Sequence, residues 1–193
     1  ISGKGDITKD SSEFITKVSD FEKVVVEEGI TSLSYMFLDG LINITSVQLP
    51  STLKSIGNRA FDGCTSLETI IIPDSVSQIG DNAFRNTSWL TARQSENPLV
   101  IVNNILVDGT TCSGNVVIPD TVSEICHYAF YNCEKITSVL IPDSVTKMGA
   151  FTGCSSLESA SIPNSVTELA AGVFADCKSL KDIVIPDTIK EIP

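Results

Sequence analysis

The chain has 193 residues, of which 42% are apolar, 19% charged and 6% aromatic, and its 13 lysines and arginines against 24 aspartates and glutamates give a net charge of −11. This charge argues against a nucleic-acid groove or an anionic membrane surface as partner, because both need clustered positive charge, and the apolar fraction is too high for a disordered chain. The longest purely apolar run, residues 99–102, is far shorter than the ~20 residues that a membrane span requires.

The first 20 residues do not follow the periodicity of the remaining chain, and we expect residues 1–20 to form a cap or flanking segment. From residue 21 onward, short apolar runs are closed by a proline, as in Ile70-Ile71-Ile72-Pro73. Apolar side chains at alternate positions predict a strand with one face inward, and proline ends it because proline has no N–H to extend the ladder. These prolines lie at positions 50, 73, 119, 142, 163 and 186, mostly 23 residues apart.

Two further columns of residues keep the same spacing. In most repeats a phenylalanine follows the proline by 11 residues, and a cysteine lies three positions further on. The shorter step from Pro142 to Pro163 keeps the spacing between Phe and Cys, which indicates that two residues are deleted after Met148. No repeat could bury its own apolar side chains alone, so we predict a solenoid of stacked coils. The columns are Phe61, Phe84, Phe130, Phe151 and Phe174, and Cys64, Cys133, Cys154 and Cys177.

Residues 89–113 fill one repeat length but depart from the pattern. Residues 90–97 are polar where a strand should be apolar. The apolar runs 99–102 and 105–107 flank Asn103-Asn104, and asparagine tolerates the positive φ angles of a tight hairpin turn. We predict a degenerate coil whose outer arc is replaced by a β-hairpin.

The repeated pattern Ile-Pro-Asp-Ser-Val-x-x-Ile-Gly-x-x-Ala-Phe-x-x-Cys-x-x-Leu, which begins at Ile72, resembles the BspA-like class of leucine-rich repeats. The resemblance covers residues 21–193. It implies a right-handed leucine-rich repeat solenoid, with a parallel β-sheet on the concave side and short irregular, 3-10 or β segments on the convex side. It also implies an extracellular or cell-surface microbial protein, often one module of a larger adhesin. Thr87 replaces the usual cysteine, and Val173 the usual alanine.

The cysteines are predicted to be reduced and buried, because their column lies among the Phe and Leu positions of the core. Cys126 occupies a column of glycines and is interpreted as a small turn residue, while Cys112, in the degenerate coil, is expected to be the most accessible thiol. Cys126 and His127 are adjacent in extended chain, so their side chains seldom pair as nucleophile and base. No motif of a metal, phosphate or hydrolase site is present, and we expect neither an enzyme nor a cofactor.

Two polar columns follow the strand ends. The acidic column is typical of turn chemistry, in which aspartate accepts backbone N–H groups, although stacked carboxylates leave a calcium ion as an alternative. The hydroxyl column is expected to satisfy backbone groups freed where each strand ends. The members are Asp74, Asp120, Asp143 and Asp187, and Thr52, Ser75, Thr121, Ser144, Ser165 and Thr188.

The outward residues of the concave strands are our candidate ligand-binding face. One column is rich in hydroxyl and amide groups and its neighbour is largely apolar, a composition typical of protein-binding surfaces. The alternative is that β-branched residues simply favour strands. The predicted site residues are Val25, Gln48, Thr69, Ile71, Asn115, Val117, Ser138, Leu140, Ser159 and Val184.

The first functional hypothesis is a non-catalytic, adhesin-type module that binds a protein ligand, and the resemblance implies host extracellular matrix or another surface protein as the partner. The second is a structural spacer that holds another domain of a larger surface protein. The third is a carbohydrate-binding module that uses the polar column. This hypothesis is weakened because one tryptophan and three tyrosines offer few rings on which a sugar could stack.

Overall fold

The computed structural model describes residues 5–7, 21–149 and 151–192. The chain folds as a parallel β-solenoid, in which coils of about 23 residues contribute one strand to a main sheet and a shorter strand to a second sheet. Internal contacts divide the chain into two compact units, Ile1–Glu96 and Asn97–Pro193. Apart from the strand at 5–7, the predicted cap at residues 1–20 lies outside the described residues.

The described part of the first unit contains seven strands and one helix. The main sheet has the order β2-β4-β6 and the second sheet β1-β3-β5-β7, and every pairing is parallel. The strands are β1 (Gly5–Ile7), β2 (Lys23–Val25), β3 (Ile30–Leu33), β4 (Ser46–Gln48), β5 (Ser55–Ile56), β6 (Thr69–Ile71) and β7 (Gln78–Ile79), and the helix is α1 (Ser88–Glu96).

The second unit repeats this plan after a hairpin. Its main sheet has the order β10-β12-β13-β14, all parallel, and its second sheet the order β11-β9-β8. Parallel bridges from Glu124 to Lys147 and from Met148 to Leu169 continue the second sheet. The strands are β8 (Val100–Val102), β9 (Ile105–Asp108), β10 (Gly114–Val117), β11 (Glu124–Ile125), β12 (Ile136–Leu140), β13 (Ser159–Ser161) and β14 (Asp182–Val184).

The degenerate repeat contains the predicted hairpin and a helix that the sequence analysis missed. β8 and β9 are antiparallel, and Asn103 and Asn104 have φ angles of 47° and 65°, as a type I′ turn requires. Residues 88–96 form α1, which includes most of the segment 90–97 that the sequence analysis described only as polar. Thr87 caps this helix, because its Oγ1 accepts a hydrogen bond from the Leu90 N–H at 3.1 Å.

Stacked phenylalanines form the core of each unit and confirm the aromatic column. In the first unit the rings of Phe61 and Phe84 lie 5.6 Å apart between centroids at an angle of 12°. In the second unit Phe151 stacks on Phe130 at 5.0 Å and on Phe174 at 5.7 Å. Residues 23 positions apart in the sequence therefore become neighbours in space.

The thiol column is also confirmed, and it has one more member than predicted. All six cysteines are free. Cys154 Sγ donates to Phe130 O at 3.2 Å and Cys133 Sγ to Cys112 O at 3.3 Å, so each thiol bonds to the preceding coil. The prediction that Cys112 is the most accessible thiol is wrong: it is 4% exposed, and burial raises its pKa to about 12, whereas Cys177 is the half-buried one.

Cys112 is buried because it takes the position of a cysteine in the thiol column. Its N–H bonds to Gly109 O, as the N–H of Cys133 bonds to Phe130 O, so Gly109 and Cys112 stand in the Phe and Cys columns.

The hydroxyl column behaves as predicted at five described positions, where each hydroxyl donates to a carbonyl of the preceding coil at 2.6–2.8 Å. These hydroxyls belong to Thr52, Ser75, Ser144, Ser165 and Thr188.

Candidate functional site

We call the outward surface of the main-sheet strands, taken separately in each unit, the main-sheet face. All ten predicted site residues lie on these strands. In the first unit, cross-strand pairing makes Val25, Gln48 and Ile71 neighbours, and Ser46 and Thr69 form the adjacent row with Lys23. The side chain between the rows points inward in each strand, as Val24, Val47 and Ile70 are buried.

In the second unit two rows run across the four strands. The polar row contains Asn115, Ser138 and Ser159, and Ser138 Oγ donates to Asn115 Oδ1 at 2.8 Å. The neighbouring row consists of Val117, Leu140, Ser161 and Val184, so one serine interrupts an otherwise apolar surface. Leu140 is 56% exposed, and Ile71 in the first unit is 79% exposed.

A groove of about 560 Å³ lies on the main-sheet face of the first unit. Ile71 and Pro73 line it together with Gln48, and the charged side chains of Lys23 and Glu28 also contribute. The groove therefore joins apolar surface to hydrogen-bonding and charged groups.

Glu28 was missed by the sequence reasoning because it lies in the turn after β2 and outside the strand pattern. Its carboxylate accepts hydrogen bonds from the Ser51 N–H at 2.9 Å, the Ser51 hydroxyl at 3.1 Å and the Thr52 N–H at 3.3 Å. The backbone bond from Ser51 is the largest cause that holds the pKa of Glu28 below its usual range. Glu28 thus presents a fixed negative charge at the groove.

Asp62 is the one charged residue that is buried in the described part of the chain, and the sequence analysis did not identify it. Arg59 Nε donates to its carboxylate at 2.9 Å, Arg85 donates two hydrogen bonds at 2.7 and 3.1 Å, and Asn86 donates one at 3.1 Å. Desolvation by burial raises the pKa of Asp62, but the hydrogen bonds and positive charges of the two arginines outweigh it and leave the pKa lowered. These hydrogen bonds link neighbouring coils and satisfy the buried carboxylate of Asp62.

We expect Asp62→Asn to lower the free energy of unfolding by about 2 kcal/mol at pH 7, since it removes a buried, charge-assisted network. A folded-state pKa below the unfolded value contributes stability that is present above the unfolded pKa and is lost as the pH falls through the folded pKa. Urea unfolding from pH 7 down to acid should therefore show the difference between Asp62→Asn and the parent protein shrinking below about pH 4. A difference that stays constant in acid would contradict this role.

The single histidine of the chain directly follows Cys126 in the sequence. The Cys126 thiol is buried, and the His127 ring packs edge-to-face against Tyr128 with centroids 4.6 Å apart. Across residues 21–149 and 151–192, no group of three or more His, Cys, Asp and Glu side chains is arranged to hold a metal ion. Among the described residues, no helix has the length and apolar character needed to cross a membrane.

A scan against protein-family models matches the BspA type Leucine rich repeat region over residues 10–110 and 101–193, in six copies. A search of curated protein sequences finds no match. The family match thus extends over nearly the entire chain.

Solved structures with similar folds include a leucine rich cell surface protein from Faecalibacterium prausnitzii, with 26% identity, a TM-score of 0.51 and coverage of 94% of this chain and 58% of that one. The pneumococcal vaccine antigen PcpA is 19% identical, with a TM-score of 0.53 and coverage of 89% of this chain and 46% of that one. The chain therefore spans about half the length of these two proteins.

Proposed function

Because the chain belongs to the BspA-type leucine-rich repeat family, we propose that it is a non-catalytic protein-binding module and that the main-sheet face is its binding surface. The observation that carries the proposal is the pair of rows on this face, one hydrogen-bonding and one largely apolar, with Ile71 and Leu140 exposed. A protein interface combines an apolar centre with a polar rim, and the two rows offer both kinds of surface.

The backbone supports binding because strand pairing already orders the main-sheet face of each unit in the free protein. Every main-sheet strand except β14 carries a buried side chain between two outward ones, as in Thr69–Ile71, whose burial alternates exposed, buried, exposed. A surface that does not have to become ordered on binding loses less conformational entropy when it associates. Neighbouring strands, and therefore successive members of a row, lie about 4.8 Å apart, which suits an extended or flat protein partner.

For the whole protein, we propose a location outside the cell, on the cell surface. The F. prausnitzii relative is described as a cell surface protein. A host extracellular-matrix protein or another surface protein would then be within reach of the main-sheet face. The negative charge of −11 favours a partner region that is not itself strongly acidic.

We expect the double variant Ile71→Glu and Leu140→Glu to lose binding to an immobilised matrix protein, because it places a charge in each apolar row. Fibronectin, laminin and collagen are the probes, and binding is measured by surface plasmon resonance. Each change alone should weaken binding about tenfold or more if its row is at the centre of the interface. The melting temperature should change little, since both side chains point to solvent.

Ile42→Glu is the matched control, because Ile42 is 57% exposed but lies outside the main-sheet strands. It should leave binding unchanged. Binding that survives the double variant would place the interface elsewhere on the chain. If the parent protein binds none of the three matrix proteins, the spacer hypothesis is favoured instead.

A further inference from the structure

Three aromatic side chains meet at the corner that follows β11, away from the main sheet, and we call them the aromatic cluster: His127, Tyr128 and Tyr131. The rings of Tyr128 and Tyr131 are 5.4 Å apart between centroids at an angle of 88°, and the His127 ring meets Tyr128 at 88° as well. Tyr128 is 37% exposed and Tyr131 46% exposed. Both tyrosine side chains are therefore partly open to solvent.

The coil that carries the cluster is longer at this corner than the coil before it. Pairing aligns Ile125 with Leu106, and the bond from the Gly109 N–H to Ala129 O aligns Gly109 with Phe130. Five positions separate Ile125 from Phe130, but three separate Leu106 from Gly109. The preceding coil thus has no counterpart of His127 and Tyr128.

The coil that follows is shortened at the same place. The bridge from Glu124 to Lys147 aligns Ile125 with Met148, and ring stacking aligns Phe130 with Phe151. Three positions separate Met148 from Phe151. His127 and Tyr128 therefore project between two shorter coils, which accounts for the exposure of the Tyr128 ring.

Polar side chains border the cluster on both sides. Tyr131 directly follows Phe130, so its counterparts in the neighbouring coils are Thr110 and Thr152. The Asp108 carboxylate accepts hydrogen bonds from the Thr110 N–H at 3.1 Å and from the Thr110 hydroxyl at 3.0 Å. In the following coil the Thr152 hydroxyl donates to Gly172 O at 2.8 Å. Hydroxyl and carboxylate groups held by hydrogen bonds thus lie in the coils on both sides of the two partly exposed phenol rings.

We propose that the aromatic cluster is a binding site for a neutral saccharide ring. A pyranose has an apolar C–H face, which suits the negative face of a phenol ring, and a rim of hydroxyls, which suits Thr110, Thr152 and the Asp108 carboxylate. A proline-rich peptide needs an apolar groove beside the aromatic rings, and the other large apolar side chains exposed in the described part of the second unit lie on the main-sheet face or in its last coil. Asp108 and the net charge of −11 oppose an anionic sugar.

The test measures binding of the whole chain to neutral oligosaccharides, maltotriose, cellotriose, mannotriose and N-acetyllactosamine, by saturation-transfer NMR and titration. We expect at least one of them to bind, and Tyr128→Ala and Tyr131→Ala each to weaken that binding about tenfold or more, as loss of a stacking anchor does. Tyr35→Ala is the matched control, because Tyr35 is also 46% exposed but lies in the first unit. It should bind as the parent does.

Several results would overturn the proposal. These are no binding of any neutral oligosaccharide, binding that Tyr128→Ala and Tyr131→Ala leave intact, and a decaproline peptide or a sialylated glycan bound more tightly at the cluster. Circular dichroism of each variant checks that the fold is retained. The aromatic cluster shares no residue with the main-sheet face, so Ile71→Glu should not affect saccharide binding. A failure of protein binding can therefore be distinguished from a failure of saccharide binding.

Discussion

Phe130→Ala is expected to lower the free energy of unfolding by about 3–5 kcal/mol, which is the range for truncation of a fully buried aromatic ring. The Phe130 ring is completely buried and stacks on Phe151 with centroids 5.0 Å apart. On its other side lies Gly109, and a Cβ built there would collide with the Phe130 ring. The ring therefore fills the space that two coils leave at this position.

The cavity left by this change cannot collapse easily. The backbone around it is fixed by cross-coil hydrogen bonds, Gly109 N–H to Ala129 O at 2.7 Å and Asn132 N–H to Thr152 O at 2.9 Å. Urea unfolding of the parent and the variant measures the effect. Tyr131→Ala, one position along and exposed, serves as the control and should cost only about 1 kcal/mol or less, the value of its ring contact with Tyr128. Equal effects of the two changes would mean that Phe130 is not a core residue.

Much of the fold could be predicted because stacking turns a sequence period into a spatial ladder. Val24, Val47 and Ile70 are 23 residues apart, and they are direct cross-strand neighbours in the main sheet. A proline after each strand and a phenylalanine at a fixed distance repeat the same information. Several columns with one phase leave little freedom in how the coils can be aligned.

The parts that could not be predicted depend on contacts between columns. The burial of Asp62 requires Arg85, 23 residues away, to reach across a coil boundary, and charge alone does not reveal that. Cys112 was misjudged because only three positions separate it from Asn115, whereas five separate Cys133 from Ser138, so it lies outside the phase set by the prolines. α1 interrupts the strand pattern and is marked only by its cap at Thr87.

The main-sheet face could be predicted in position, since alternation fixes which side of each strand points outward. Its use as a binding surface remains a prediction, because the same residues also suit strands for their packing. The aromatic cluster could not be found from the periodicity, because His127 and Tyr128 are the positions that both neighbouring coils lack. Irregular corners of a repeat protein carry information that the repeat itself does not.

Gly57→Ala is expected to cost about 3 kcal/mol of unfolding free energy or more, because a side chain here meets backbone atoms that cannot turn aside. A Cβ at Gly57 would lie 2.6 Å from Ser34 C, 2.7 Å from Ser34 O and 2.7 Å from Tyr35 N. Those atoms belong to the preceding coil, so relief requires the two coils to separate. Separation would strain the bond from the Gly57 N–H to Leu33 O, which is 2.9 Å long.

Cys126 shows why this column is not glycine everywhere. Gly149, its counterpart in the next coil, lies against the backbone of Cys126 and His127, whereas Cys126 follows the coil that is two residues short at this corner. A Cβ is accommodated at Cys126 because the preceding coil lacks two of the corner residues that the Cβ would otherwise meet. Cys126→Ala therefore places alanine in the same column without a collision and should cost only about 1 kcal/mol, the effect of a smaller buried side chain. Thermal unfolding of both variants compares them directly, and a Gly57→Ala protein as stable as Cys126→Ala would show that the coils are not held at the separation that the stacked columns require.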